Sequence, residues 1–344
     1  MHAKRSGIAT RLGMPDYAQK TSPPWQHQNP RILRMRTRPL GRTGLIVSEL
    51  GFGCAPLGDE YGAMQDQDAT ELVHAAIDQG FTFFDTAPYY GRTLSEERLG
   101  KALQGKRDGI VLATKCARHA QSEFDFHAAA VRRDLADSLR RLKTDHIDLY
   151  QIHDVEFGQE QMILEETLPA LMRMKEQGHI LSVGITGLSL PMLARIANAF
   201  PVDTILSYCH GDLLARDFTS TLGEIAEADG VGLINASITH MGILSPQGPQ
   251  DWHPAPPEVF EAGRKVRSLC KDAGVNPAEV ALRFALDYPG PDSTLIGVSN
   301  LEQLASSLRV LEMSADDDLL KSIDDAIGEA MDMRWHEGLA ENFE

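Results

Sequence analysis

Phe81-Thr-Phe-Phe-Asp-Thr-Ala-Pro-Tyr-Tyr-Gly-Arg-Thr-Leu-Ser-Glu-Glu-Arg-Leu-Gly100 is the stretch from which the fold is read. Its opening FTFF is short and rich in aromatic and β-branched residues, the composition of a buried strand. Asp85 ends that run. Pro88 and Gly91 break regularity and leave Tyr89 and Tyr90 on a loop beyond the strand. From Leu94 the pattern turns helical, with Leu94, Leu99 and Leu103 as core contacts and Ser95-Glu96-Glu97 as helix-start chemistry. A carboxylate and a phenol therefore leave one strand end five residues apart.

Working outward, the chain of 344 residues has room for one large α/β barrel or two ordinary domains. A hydrophobic content of 42% supports a substantial core. No apolar run approaches the roughly 18–20 residues that span a bilayer. The net charge of −16 argues against nucleic acid or an anionic membrane surface as partner and favours a small molecule. Four cysteines (Cys54, Cys116, Cys209, Cys270) lie scattered with no CxxC pair, so no metal site and no disulfide framework is expected. A reducing cytoplasm is the expected compartment, and the protein a monomer or homodimer. Residues 1–34 carry six Lys/Arg against Asp16 alone and read as a disordered basic tail. A transit peptide or an upstream start codon ahead of Met35 are the alternatives.

Taken in order, Arg36–Ser48 reads as a hairpin turning at Gly41-Arg-Thr-Gly44. Strands are expected at Ser48–Cys54, Thr82–Asp85, Ile110–Lys115, Ile147–His153, Ser182–Thr186, Thr204–Cys209, Gly232–Ser237 and Thr294–Val298. Helical patterns separate them at Asp68–Gln79, Leu94–Leu103, Ala128–Leu142, Leu164–Gln177, Pro191–Ala199, Thr219–Ala228, Pro257–Ala273 with Pro277–Asp287, and Leu301–Leu311. Eight strands alternating with helices predict an α/β fold, a (β/α)8 TIM barrel, over residues 35–330. A C-terminal helical tail follows, with 331–344 as its end. A doubly wound sheet would show a GxGxxG turn with an acidic residue ~20 positions later. Gly51-Phe-Gly-Cys-Ala-Pro-Leu-Gly58 has the wrong spacing and a proline where the helix should begin.

Barrel chemistry sits where strands run into their following loops. Asp85 with Tyr90, then Lys115, then His153 end the second, third and fourth expected strands. A free tyrosine is a poor base at neutral pH, and an ammonium beside it favours the phenolate. Lys115 supplies that charge, Asp85 holds and compensates it, and His153 orients the reacting oxygen. These groups move a proton on or off a carbonyl or hydroxyl oxygen. None accepts a hydride, so a nicotinamide cofactor is required.

The motifs D-T-A-P-Y-Y-G…S-E-E-R-L-G-K-A-L, A-T-K and D-L-Y-Q-I-H, at these intervals between Arg36 and Leu311, resemble the aldo-keto reductase superfamily. The resemblance implies that Asp85, Tyr90, Lys115 and His153 are the catalytic residues and that the hairpin plugs the barrel floor. His153–Gly158, Ile205–His210 and Gln247–Pro254 look like the sugar-oxidising branch, the aldose 1-dehydrogenases. That implies oxidation of a cyclic, L-galactose-like aldose at C1 to the lactone, with NAD as acceptor. L-fucose, D-arabinose or pyridoxal dehydrogenase, an NADPH-dependent carbonyl reductase and a non-enzymatic cofactor-binding regulatory subunit are the alternatives.

Family members that use NADPH place basic residues after the last strand to hold the 2′-phosphate, a dianion that wants charge-assisted partners. Here Gly297 and Gln303 occupy those places, Glu302 adds a negative charge, and the next base is Arg309. NAD is expected over NADP. The resemblance also assigns Thr186, Ser207, Ser237 and Ser299 to the cofactor, and gives Ala236 where the family carries the tyrosine that stacks on nicotinamide. Tyr208 or His210 is the expected replacement. For the sugar, Tyr61, Tyr89, Cys116, Asp154, His210, Trp252 and His253 offer flat faces and hydrogen-bonding groups on loops over the mouth. Asp316–Asp318 reads as a solvated face.

Overall fold

Eight parallel strands follow one another around a closed barrel, each hydrogen-bonded to the next in sequence. They are β1 (Leu50–Gly53), β2 (Phe83–Asp85), β3 (Val111–Cys116), β4 (Ile147–Ile152), β5 (Ile180–Gly187), β6 (Thr204–Tyr208), β7 (Gly232–Ala236) and β8 (Ser293–Ile296). The circle shuts through the pairs Thr294↔Leu50, Leu295↔Gly51 and Ile296↔Phe52. The structure, a computed structural model, describes residues 35–344. The basic segment 1–34 lies outside the described residues. Around the strands run α1 (Asp66–Asp78), α2 (Leu94–Ala102), α3 (Ala128–Leu142), α4 (Leu168–Glu176), α5 (Leu190–Ala199), α6 (Phe218–Asp229), α7 (Pro257–Asp272), α8 (Pro277–Asp287), α9 (Leu301–Arg309) and α10 (Asp317–Ile327).

Strand side chains alternate between faces, and the alternation fills this barrel. Phe83, Val111, Ala113, Leu149, Leu206, Ile234 and Leu295 form one buried cluster inside it. Leu40 and Val47 join that cluster from the hairpin Thr37–Pro39/Ile46–Ser48, so the hairpin plugs the floor. Gly41 is fixed there by close approach. At φ 49°, a Cβ on it would lie 2.3 Å from the Gly232 nitrogen. Its amide donates to Asp292 Oδ2 at 2.9 Å, and the next amide to the Gly230 carbonyl at 2.7 Å.

Several local features differ from the sequence reading, each for a physical reason. The helix expected as Leu164–Gln177 is a short turn at Glu160–Met162, a π-turn at Ile163–Thr167, and then α4. Pro169 has no amide to give to the preceding turn, and the wider π spacing absorbs that loss. A two-stranded ribbon, Arg118–Ala120 against Glu123–Phe124, rises from the β3–α3 loop. The run Asp316–Asp318 is exposed, and it also starts α10. Asp316 accepts from the Leu319 amide, and Asp317 and Asp318 sit in the first turn, where carboxylates complement the helix dipole.

Residues 331–344 run back across the loops at the carboxyl ends of β4 to β7. The Asp332 amide donates to the Leu214 carbonyl and the Leu339 amide to the Glu156 carbonyl. Asn342 Nδ2 donates to the Glu156 and Gly158 carbonyls, and Ser189 Oγ to the Asn342 carbonyl. Arg334 pairs with Asp217, and Trp335 packs edge-on against the rings of His240 and His253.

Candidate active site

The same alternation that buries Phe83, Ala113 and Leu149 points Asp85, Lys115 and Gln151 inward two residues later, above the apolar plug. Lys115 Nζ lies 2.5 Å from Asp85 Oδ1, 2.9 Å from the Thr86 carbonyl and 3.3 Å from the Tyr90 hydroxyl. Gln151 Nε2 donates to the other Asp85 oxygen at 2.8 Å. The carboxylate is thus held on both oxygens, and Lys115 spends its three protons on three acceptors. The His153 ring stands edge-on to Tyr90, with centroids 5.7 Å apart, and to Tyr89 at 5.8 Å. The four residues expected at the strand ends are therefore brought together.

Their electrostatics differ from the sequence argument in one respect. Burial pushes the Tyr90 phenol up to about 12, outweighing the downward pull of Lys115. The cation moderates the shift and does not bring the phenol to neutral pH. Burial alone would lower the Lys115 ammonium, but Asp85 and Tyr90 reverse that and hold it charged. His153 is driven well below the ordinary histidine value by burial, then by the Lys115 and Arg118 charges. It is a neutral imidazole. Its Nδ1 is buried with no hydrogen-bond partner among the described residues, as is Gln151 Oε1.

The S-E-E-R stretch starts α2 and also braces this floor. Ser95 Oγ bonds to Thr86 Oγ1 at 2.8 Å and donates to the Cys54 carbonyl at 2.7 Å. Glu96 accepts from Thr114 and Arg141, both at 2.6 Å. Arg98 ties the β1–α1 loop through Asp59, Asp66 and the Leu57 carbonyl.

Around the mouth the expected residues divide. Tyr61 and Trp252 are exposed. Tyr89 is half-buried, with the Arg118 guanidinium 3.9 Å from its ring centroid. Asp154 is buried and paired with Arg118. Three expectations are corrected by hydrogen bonding and strand phase. The Cys116 thiol sits one residue out of phase with Lys115, buried against the Gln151 carbonyl. His210 uses both ring nitrogens, on Asp217 and the Leu188 carbonyl, each at 2.8 Å. His253 does the same, with the His240 carbonyl and the Ala255 amide. None of the three has an atom free for a sugar.

Among the cofactor candidates, Thr186 faces inward and accepts from the Asp154 amide at 3.1 Å. Ser207 is out of phase with inward Leu206 and Tyr208, and gives its hydroxyl to the Gly187 carbonyl at 2.8 Å. Ser237 follows β7 with φ 54°. Gly297 is exposed at the end of β8. Gln303 Oε1 accepts from the Ser299 amide at 2.7 Å, while Asn300 caps the Gln303 amide at 2.9 Å. Tyr208, the strand partner of Ala236, brings a ring beside the missing one, whereas His210 is turned away. Arg118, Gln151 and Glu156 were missed. Period-two counting from Leu149 would have found Gln151. Glu156 is fully buried and pushed well up by burial and then by Asp154. Its Oε1 accepts from the Leu188 amide and the Tyr208 hydroxyl, and its Oε2 has no partner among the described residues.

Residues 49–327, which span the whole barrel, match the model of the Aldo/keto reductase family. The chain belongs to the aldo/keto reductase family. It is similar to the L-galactose dehydrogenase of Arabidopsis thaliana, 38% identical over 90% of this chain and 100% of that one. The D-threo-aldose 1-dehydrogenase of a Pseudomonas species is 28% identical over 77% of this chain and 89% of its own. Among solved structures, an aldo-keto reductase from Bacillus halodurans in its holo form matches with a TM-score of 0.73. It is 26% identical, over 90% of this chain and all of that one. As an aldo/keto reductase, the chain is an oxidoreductase that works with a nicotinamide cofactor and a small-molecule substrate. Among the described residues no helix is long and apolar enough to cross a membrane.

Proposed function

We propose that the chain is an NAD-dependent aldose 1-dehydrogenase that oxidises an L-galactose-like cyclic aldose to its lactone. The observation that carries this reading is the Tyr90 hydroxyl 3.3 Å from the buried Lys115 ammonium, beside a neutral His153 with an unsatisfied nitrogen. Going from aldose to lactone removes the C1 hydroxyl proton and a hydride from C1. The nicotinamide, when bound, takes the hydride. Tyr90 takes the proton. Because burial holds the phenol near 12, its phenolate is scarce at neutral pH, and oxidation gains as the medium becomes alkaline. Asp85 and Gln151 keep Lys115 in place, and the His153 imidazole meets a sugar oxygen and sets its orientation.

The residues that would hold the cofactor are Thr186, Ser237, Tyr208 beside Ala236, and Gly297, Ser299 and Gln303 beyond β8. NAD is favoured because nothing in that last segment supplies a cation. Gln303 is neutral, Glu302 is acidic, and Arg309 is already engaged by Glu279 at 2.8 Å. The names of the similar sugar dehydrogenases support an aldose, as do the aromatic faces of Tyr61, Tyr89 and Trp252 over the mouth. All four cysteines are unpaired, which supports the cytoplasm as its place.

One observation favours a second reading. A phenol near 12 is a better acid than base at neutral pH, which suits reduction of a carbonyl by the same residues. The deciding experiment follows NADH formation with L-galactose, L-fucose, D-arabinose and pyridoxal side by side, in parallel with NAD(P)H consumption on aldehydes. Turnover confined to aldehyde reduction would reject the dehydrogenase reading.

A further inference from the structure

The loops after β6 and β7 bring together three side chains that the proton-transfer machinery does not use. Cys209 and Asp212 are three apart on the first loop, and His240 arrives from the second, 28 residues beyond Asp212. All three are buried, and one ligating atom from each lies within 4.8 Å of the others. Asp212 is aimed by its own loop, since Oδ1 accepts from the Leu214 and Ala215 amides at 2.8 and 3.1 Å. Its Oδ2 lies 2.8 Å from His240 Nδ1. A carboxylate only accepts, so Nδ1 carries the proton and Nε2 is left as a bare lone pair. That Nε2 is buried with no hydrogen-bond partner among the described residues, on a side chain 1% exposed.

The backbone holds this arrangement against its own preference. Cys209 and His240 both sit in the left-handed region, at φ 61° and 51°, where residues other than glycine are uncommon. Such strain clusters at ligand clamps and functional sites. Edge-on Trp335 and stacked His253 pin the His240 ring, with centroids 5.4 and 6.4 Å away. A thiol, an imidazole nitrogen and a carboxylate oxygen are the donor types that bind zinc-class ions. An ion held by both Asp212 and His240 takes the ring nitrogen that faces Asp212, and the proton of that nitrogen passes to the unpartnered Nε2.

We propose that Cys209, Asp212 and His240 bind a thiophilic divalent ion of the zinc class. The ion takes the Cys209 sulfur as thiolate, and the thiol proton leaves to solvent, so affinity rises with pH. No oxidant or reductant is involved. Sequence spacing could not show this set, because its members come from two loops that only barrel closure joins.

The test uses the full chain with Co(II) as the probe. One equivalent is expected to give a near-ultraviolet thiolate-to-cobalt charge-transfer band that Zn(II) displaces. The band should vanish in C209S and persist in C116S. Zn(II) should raise the melting temperature of the parent protein and leave that of C209S unchanged, a readout that needs no turnover. Lack of a thiolate band at one equivalent, or an undiminished band in C209S, overturns the site. Because neither readout involves NAD or sugar, a failed dehydrogenase assay leaves this result standing, and the reverse holds too.

Discussion

Replacing Lys115 by Met removes the cation from beside the phenol while nearly keeping the stem's volume. A unit charge 3.3 Å from the Tyr90 oxygen is worth about 5 kcal/mol at an effective dielectric of ~20. That corresponds to roughly 3–4 pKa units at about 1.4 kcal/mol each. Relaxation and water entry around the vacated ammonium position, beside the Asp85 carboxylate it had held at 2.5 Å, return part of this. The net rise expected for the phenol is therefore on the order of 2 units. Tyr90 starts at about 12 because of burial, so its phenolate becomes about 100-fold scarcer across the working range. Turnover of aldose by Lys115→Met should fall by about that factor or more, and its pH–rate curve should keep climbing beyond the point where the parent levels off. Stability also suffers, because removing one partner of a buried pair costs about 3–5 kcal/mol. The assay is therefore run well below the variant's melting temperature, with circular dichroism confirming the fold. A folded variant whose pH–rate curve coincides with the parent's would refute the idea that Lys115 acts on the phenol.

Three further outcomes are expected. Tyr90→Phe should lose at least about 100-fold in turnover while nicotinamide binding, followed by fluorescence titration, stays the same. Parent NAD affinity should exceed NADP affinity, and the pair Gly297→Lys with Gln303→Arg should reverse the order by supplying the missing charges. Gly187→Ala should cost about 1–3 kcal/mol in urea unfolding, because its Cβ would lie 2.3 Å from Glu156 Oε2.

Much of the barrel was readable because short strands and amphipathic helices leave different periods in the sequence. FTFF, IVLATK and IDLYQI each became a strand, and the residues ending them met around Lys115. The reading failed where a side chain's fate depends on strand phase or on partners distant in the chain. Cys116 was assigned to the mouth because it follows Lys115, yet alternation turns it away. His210 and His253 looked free, but Asp217, Leu188 and the loop around His240 occupy their nitrogens. Ser95 and Glu96 looked like helix-start chemistry, and they also hold Thr86 beyond β2 and Thr114 in β3. The phenol's high value was missed for the same reason, since desolvation depends on everything packed around a group and not on its nearest charge.

The closing segment of the chain gives the last word on assembly. Trp335, Leu339 and Asn342 come after every barrel strand in the sequence, yet they clasp loops that follow β4, β5 and β7. A nascent chain thus completes its cylinder before its rim. A chain halted at Met333 would possess every proton-handling group and still lack the clasp that Trp335 and Asn342 provide.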